Sequence, residues 1–205
     1  GRWYLVALIP PAFILAVLLS LGAVVSPAFA PKILPFGILF GVFAGLFEET
    51  GWMGYAFPKL RATHGPMTAG ILLGVLWGFW HLPVVDFLGV AGPHGAYRLP
   101  FFLAFVAAMI AIRLIIVRVY ERTGSVLLAM LIHASSTGFL VVLSPSRVSA
   151  GQEALWYAVY AAALWIAIAL VGLRSPHLVD RGPEVAAPEG NLQREGALET
   201  PRLAG

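Results

Sequence analysis

Long apolar runs dominate this chain and are separated by short breaks that carry proline, glycine or charge. The runs are continuous rather than alternating, which excludes the strands of a membrane β-barrel. An α-helix needs about 20 apolar residues to cross a bilayer, so the pattern predicts an all-α, polytopic transmembrane helical bundle of about six spans. We place these spans at residues 3–25, 34–57, 67–90, 99–118, 123–144 and 153–173.

The predicted spans form one transmembrane domain, residues 1–174. After Arg174 the composition shifts to proline, glutamate, glycine and alanine, which predicts a disordered cytoplasmic tail at 175–205. The chain begins with glycine rather than methionine, which is typical of a fragment or a processed product. Residues 3–25 are too long and too apolar for a signal peptide, and we interpret them as a retained span.

Composition supports the membrane assignment. Of 205 residues, 60% are hydrophobic and only 11% are charged, against roughly 25% charge in soluble domains. Cysteine is absent, which excludes a disulfide framework, a thiol nucleophile and a cysteine-ligated metal site. The basic residues are scattered rather than clustered, so we expect membrane lipid and no nucleic acid as a partner.

The distribution of basic residues between the breaks predicts the orientation. With six spans both ends of the chain face the same side, and that side collects most of the lysines and arginines. The positive-inside rule places it in the cytoplasm. Arg113 was assigned to the cytoplasmic end of its span, where its side chain can snorkel out to the interface.

Few ionisable residues remain inside the predicted spans. Glu48 and Glu49 lie in the second span, His81 in the third and His133 in the fifth, each near the midpoint. A charge at the bilayer centre costs roughly 2.5–3.5 kcal/mol on insertion scales, and such residues usually mark a functional interior. The four residues therefore indicate a polar cavity at one depth. The alternative is a structural hydrogen-bond network that joins three helices.

The residue types suit hydrolysis. Adjacent residues on a helix point about 100° apart, so only one of Glu48 and Glu49 is expected to face the histidines while the other supports it. A glutamate beside a histidine in a desolvated pocket suits general-base activation of water. A second histidine, His133, suits oxyanion stabilisation or metal binding. Thr137 lies one turn after His133 on the same face.

The segments around these residues resemble the motifs of a known family. Glu48 and Glu49 open the sequence EETGWMGYAFPKL, which resembles an EExxxR motif; His81 lies in WGFWHLP, which resembles FxxxH; and His133 opens HASST, which resembles HxxxN. These three motifs, in this order, are typical of the CPBP intramembrane proteases, the CAAX-processing and bacteriocin-processing (Abi) family that includes the eukaryotic Ras-converting enzyme. The resemblance covers residues 34–144.

The resemblance implies a role for each matching residue. Glu48 would be the general base that activates water, and His81 would orient that water or shuttle the proton. His133 and Thr137 would steady the tetrahedral oxyanion, and Glu49 would be the supporting acidic residue. Family members have been described as zinc metalloproteases and as metal-independent glutamate proteases. The sequence leaves zinc as a possible cofactor, because the close HExxH spacing of a confident zinc site is absent.

This chain departs from the family motifs at several positions. Met53 replaces the arginine of the first motif, so Glu49 requires another partner, for which Arg113 and Arg61 are candidates. Thr137 replaces the asparagine of the third motif, and Trp77 replaces the phenylalanine of the second.

These features give a prediction and two alternatives. We predict an intramembrane endopeptidase that cleaves a membrane-associated protein or peptide. The short loops and the Ala/Leu/Gly/Arg-rich composition are typical of a bacterial plasma-membrane protein. Met53 and Thr137 favour a catalytically inactive scaffold that regulates a partner protein. A proton-relaying transporter is disfavoured, because the chain shows no inverted repeat.

Two further sets of residues have simpler interpretations. The loop and tail histidines His64, His94 and His177 are interpreted as solvated residues. Gly41 and Gly45 form a small-xxx-small pair directly before the glutamates, which predicts close helix packing.

Overall fold

The computed structural model describes residues 2–145 and 147–173, and within them the chain is a bundle of helices without extended strands, apart from one isolated bridge between Pro31 and Pro145. The all-α prediction is confirmed. The helices are α1 Ile9–Val24, α2 Phe36–Gly51, α3 Phe57–Arg61, α4 Pro66–Trp80, α5 Arg98–Thr123, α6 Val126–Val142 and α7 Ala150–Leu173. The proposed tail at 175–205 lies outside the described residues, as does His177.

Within the part of the chain that the structure describes, three helical segments are long and apolar enough to cross a membrane: Trp3–Val24, Gly95–Thr123 and Ala150–Gly172. Pro66–Trp80 and Val126–Val142 are shorter apolar helices. A π-helical turn at Trp52–Ala56 joins α2 to α3 in one continuous helical segment. The described helices therefore follow the predicted order of spans, although their lengths are less uniform than the apolar runs.

The third predicted span, 67–90, extends too far. Helix α4 ends at Trp80, and the chain continues as a 3-10 turn at Leu82–Phe87. Pro83 explains the end of α4, because proline disfavours helical backbone at the preceding residue and lacks the N–H that would continue the ladder. His81 therefore caps the end of α4 rather than lying at the midpoint of a span.

Local sequence signals explain the tight connection between α5 and α6. Helix α5 ends at Gly124, which adopts a left-handed backbone with φ of 62° that glycine tolerates without strain. Ser125 then caps α6, because its side chain accepts a hydrogen bond from the backbone N–H of Leu128. The two helices consequently run as antiparallel neighbours.

A glycine stripe on α2 brings its backbone against α6. A Cβ atom on Gly37 would lie 2.6 Å from the carbonyl oxygen of Gly138, and one on Gly45 would lie 2.5 Å from the carbonyl oxygen of Met130. At Gly41 it would collide with the backbone of Ala134 and Gly138. The close packing predicted from the glycine pair is confirmed, and the partner is α6.

A second glycine stripe, at Gly70, Gly74 and Gly78, seats α4 on α5. A Cβ atom on Gly74 would lie 2.8 Å from the Cα of Ile110, and one on Gly78 would lie 3.0 Å from Val106. The two stripes create two closely packed helix pairs, α2 with α6 and α4 with α5. Glu48, Glu49, His81, Arg113 and His133 all lie on these four helices or directly at their ends.

Replacing Gly41 with leucine is expected to separate α2 from α6 and lower stability by at least about 1–3 kcal/mol, the usual cost of overpacking. Gly51→Ala is the matched control on the same helix, because a Cβ there meets nothing within 4 Å. Thermal unfolding of the purified protein in lipid would check both variants. Equal melting temperatures for the two variants would contradict the close contact.

Candidate active site

One deeply buried polar group is a three-residue assembly from α2, α5 and α6. Glu49 is fully buried and accepts two short hydrogen bonds, one from Nη1 of Arg113 and one from Nδ1 of His133, each at 2.7 Å. Because an ionised carboxylate can only accept, His133 donates through Nδ1. The other ring nitrogen of His133, Nε2, is thus available for a separate hydrogen bond.

Arg113 is placed differently from the sequence interpretation. Its side chain is fully buried and pairs with Glu49, so the prediction that it snorkels to the cytoplasmic interface is wrong. The partner of Glu49 is Arg113 and not Arg61, which pairs with Glu121 near the surface. A buried carboxylate attracts the guanidinium inward, because without a partner the carboxylate would lose its hydration with nothing to compensate for it.

Glu48 points to a different set of partners. One of its carboxylate oxygens, Oε2, accepts hydrogen bonds from the indole N–H groups of Trp77 at 2.7 Å and Trp52 at 3.4 Å. The side chain is half-buried, and within the described part of the chain Oε1 receives no hydrogen bond. The two adjacent glutamates thus serve different neighbours, as their angular separation on the helix predicts.

His81 lies at the end of α4, where its Nδ1 donates to the backbone carbonyl of Trp77 at 2.8 Å. That bond selects the tautomer in which Nε2 of the neutral ring is the acceptor. Glu48 and His133 are both close enough to His81 to interact with it electrostatically. Glu48, His81 and His133, which were all predicted from sequence, therefore lie close together.

Trp77 is the centre of this cluster and is only 1% exposed. Besides its hydrogen bond to Glu48, its ring lies 4.4 Å from the guanidinium carbon of Arg113 and 4.8 Å from the ring of His133. A guanidinium above an indole face is a favourable cation–π arrangement. In the sequence motif Trp77 stands as an aromatic replacement for phenylalanine, yet its N–H is a donor that phenylalanine lacks.

Thr137 is half-buried, one turn after His133 on α6. Its hydroxyl makes no hydrogen bond to any residue that the structure describes. Thr137 therefore lies one helical turn from His133, and no hydrogen bond to a described residue indicates a role for it.

The helix that carries both glutamates contains a π-helical turn directly after them, at Trp52–Ala56. Such turns insert an extra residue into the helix and are frequent at functional sites. Met53 lies in this turn and is fully buried. The sequence pattern does not predict this π-helical turn. The turn changes the register of the residues that follow Glu49.

The donors present do not fit a zinc site. Zinc in proteins takes at least three protein ligands, and among the described residues no group of three His, Asp or Glu side chains lies close enough to hold a metal ion. Both oxygens of Glu49 are already engaged by Arg113 and His133. We therefore derive no step through a metal.

A second buried polar group anchors the segment that follows His81. Glu153, at the start of α7, is fully buried and accepts the backbone N–H groups of Val90 and Ala91, each at 2.8 Å, and Nε2 of His94 at 3.0 Å. The His94 ring stacks on Phe101 with 3.8 Å between ring centroids. His94 is 2% exposed, so its interpretation as a solvated loop residue is wrong.

Glu153→Ala is expected to release the segment that follows His81, because the backbone N–H groups of Val90 and Ala91 and the buried ring of His94 would lose their acceptor, at about 1–3 kcal/mol for the buried donor. Hydrogen–deuterium exchange of residues 88–94 should rise strongly, while α6 stays protected. Gln152→Ala is the control, since among the described residues the Gln152 side chain hydrogen-bonds only to the exposed backbone N–H of Ser149. Unchanged exchange in the Glu153 variant would contradict the anchoring role.

The fold and the cluster define a class: a helical membrane protein with glutamate and histidine side chains gathered inside its bundle. A family model described as "Type II CAAX prenyl endopeptidase Rce1-like" matches residues 30–139, and the chain belongs to this family. Together with its apolar helices, this makes it an integral membrane protein. The matched residues include Glu48, Glu49, His81, His133 and Thr137.

A curated relative is also similar to this chain. It is named CAAX prenyl protease 2, from Methanococcus maripaludis, and is 29% identical over 161 residues. The alignment covers 71% of this chain and 56% of the relative, so the chain spans little more than half the length of that protein.

Proposed function

We propose that this protein is an intramembrane endopeptidase that uses Glu48 and His81 to activate water against a peptide bond. The observation that supports this most directly is the cluster around Trp77. There one carboxylate oxygen of Glu48 and Nε2 of His81 have no hydrogen-bond partner among the described residues, while Glu49 is fully engaged elsewhere. A purely structural network would be expected to pair these atoms with each other.

The proposed reaction begins with a water molecule held between Glu48 and His81. Oε1 of Glu48 takes a proton from this water, and Nε2 of His81 accepts its other hydrogen bond and orients it. The hydroxide attacks the carbonyl carbon and forms the tetrahedral intermediate. The proton then passes from Glu48 to the leaving amine, with His81 as the shuttle, and the carbon–nitrogen bond breaks.

His133 is proposed to stabilise the oxyanion. Nδ1 of His133 donates to the carboxylate of Glu49. In the imidazolium form both ring nitrogens donate, so Nε2 would direct a charged hydrogen bond at the oxyanion. The hydroxyl of Thr137 would add a second, shorter donor. Glu49 acts through His133 and does not touch the substrate in this scheme.

We propose that the substrate is a membrane-associated protein or peptide. The name of the similar Methanococcus maripaludis protein points to prenylated C-terminal sequences. Peptide maturation or bacteriocin immunity is the alternative that the bacterial character of the composition favours. The excess of lysine and arginine on one side supports a plasma-membrane location with both ends of the chain in the cytoplasm.

Cleavage by the purified protein in lipid nanodiscs tests this proposal. A farnesylated peptide that ends in a CAAX sequence, the same peptide without the lipid, and a membrane extract would each be incubated in ¹⁸O-labelled water. Mass spectrometry should find products that carry one ¹⁸O atom, with wild-type protein and not with Glu48→Ala or His133→Ala. Absence of wild-type cleavage in all three samples would sink the protease proposal.

A catalytically inactive scaffold is the second candidate. Met53 and the unbonded hydroxyl of Thr137 favour it, because both positions depart from the family motifs. A scaffold would bind the same peptides without releasing a product, and its binding would survive Glu48→Ala. Binding and cleavage measured on one sample separate the two candidates.

A further inference from the structure

The motif arginine that this chain lacks has a counterpart on another helix. In members of the family the first motif, EExxxR, ends in an arginine that lies four residues after the second glutamate. Here that position is Met53, which is fully buried and carries no charge. Arg113 of α5 instead brings its guanidinium to Glu49, with Nη1 at 2.7 Å from Oε2.

We propose that Arg113 is a positioning residue that takes over, from α5, the part of the missing motif arginine. Arg113 acts through Glu49. Its guanidinium binds Oε2 of Glu49, so that Oε1 faces His133. The hydrogen bond to Oε1 then holds the His133 ring with its Nδ1 proton toward the carboxylate. The proposal rests on the proposed function, in which His133 serves the oxyanion.

The energetics favour this role over simple packing. Replacing a buried ion pair by apolar residues of similar size is often neutral or stabilising, so stability alone gives little reason to keep one. Arg113 is also costly, because Nε and Nη2 are buried and have no hydrogen-bond partner among the described residues. A buried group of this kind calls for an explanation, and a part in positioning the site supplies one.

Trp77 makes the arrangement specific to arginine. The planar guanidinium lies over the indole ring at 4.4 Å while one nitrogen reaches Glu49. A lysine ammonium is a compact point charge without a planar face, so it does not provide this stacking. The same indole donates to Glu48, so the position of Arg113 is linked to both glutamates through one ring.

Moving the guanidinium back to the motif position tests the proposal. Arg113→Met should lower kcat by about 10–100-fold, the usual effect of losing a partner that orients a reacting group, with little change in KM. The double variant Arg113→Met/Met53→Arg should recover most of this loss, because the charge returns to Glu49 from its own helix. Arg118→Met is the matched control, since the same substitution on α5 touches neither glutamate, and it should keep wild-type kcat.

The state of His133 gives a readout that does not require a substrate. In ¹⁵N NMR spectra of histidine-labelled protein, the wild type and the double variant should show the Nδ1-protonated ring, and Arg113→Met should lose that preference. If no peptide is cleaved, the proposed function fails while this measurement still tests Arg113. An unchanged His133 signal in Arg113→Met overturns the proposal, and so does a double variant that fails to fold or to restore the signal.

Discussion

Replacing Glu48 with glutamine is expected to lower the rate of peptide-bond cleavage by about 10²–10⁴-fold, the usual contribution of a general base. Glutamine has nearly the same shape, and its carbonyl oxygen can still accept the indole N–H of Trp77 at the position of Oε2. The variant therefore removes basicity while it keeps the packing. Single-turnover cleavage of a bound peptide, combined with thermal unfolding, measures both properties.

Thr50→Val is the control for Glu48. Thr50 lies on the same helix, is exposed, and bonds only to the backbone of Leu46. It should cleave at the wild-type rate. A double variant of Glu48→Gln with His81→Ala should be little slower than Glu48→Gln alone, because residues that act as a unit are strongly non-additive. Full activity in Glu48→Gln would assign the base to another residue.

Replacing Glu49 with alanine is expected to destabilise the protein by about 3–5 kcal/mol, the usual cost of leaving one member of a buried ion pair uncompensated. Arg113 is fully buried and would keep its charge without a carboxylate. His133 would lose its acceptor as well. Denaturant unfolding in mixed micelles would measure the difference from wild type.

The chain offers its own control for this large effect. Arg61 and Glu121 form an ion pair whose side chains are 28% and 31% exposed. Glu121→Ala should cost only about 0–1 kcal/mol, because exposed pairs are weakened by water and salt. If Glu49→Ala is no more destabilising than Glu121→Ala, the buried assembly contributes little to folding. The double variant Glu49→Leu/Arg113→Met should regain stability without regaining activity.

Much of the candidate site was predictable from local sequence. Glutamate and histidine inside apolar runs are conspicuous, so Glu48, Glu49 and His133 could be selected without a structure. The glycine pair at Gly41 and Gly45 likewise predicted a close helix contact. Each of these signals lies within one helix, where the spacing of residues determines which side chains share a face.

His81 was misplaced within its span for a local reason, the helix end before Pro83. Arg113 and His94 were misplaced because each has its partner on another helix. Arg113 was directed outward because its distance from the end of the span allowed snorkelling, yet the carboxylate of Glu49 draws it inward. His94 was assigned to solvent because it lies between glycines and prolines, yet Glu153 of α7 buries it. A partner on another helix leaves no periodic signal at the residue itself.

By itself, the sequence determined that this protein is a helical membrane bundle, where its glutamates and histidines lie, and which motifs they form. Apolar length and helical periodicity are local properties, which is why these conclusions needed no coordinates. Only the tertiary structure decided that Glu49 pairs with Arg113 and His133 while Glu48 turns to Trp77 and Trp52. The glycine stripes bring α2 against α6 and α4 against α5. The contacts of Glu49 with Arg113 and of Glu48 with Trp77 depend on how these two helix pairs pack together, which no pattern within one helix records.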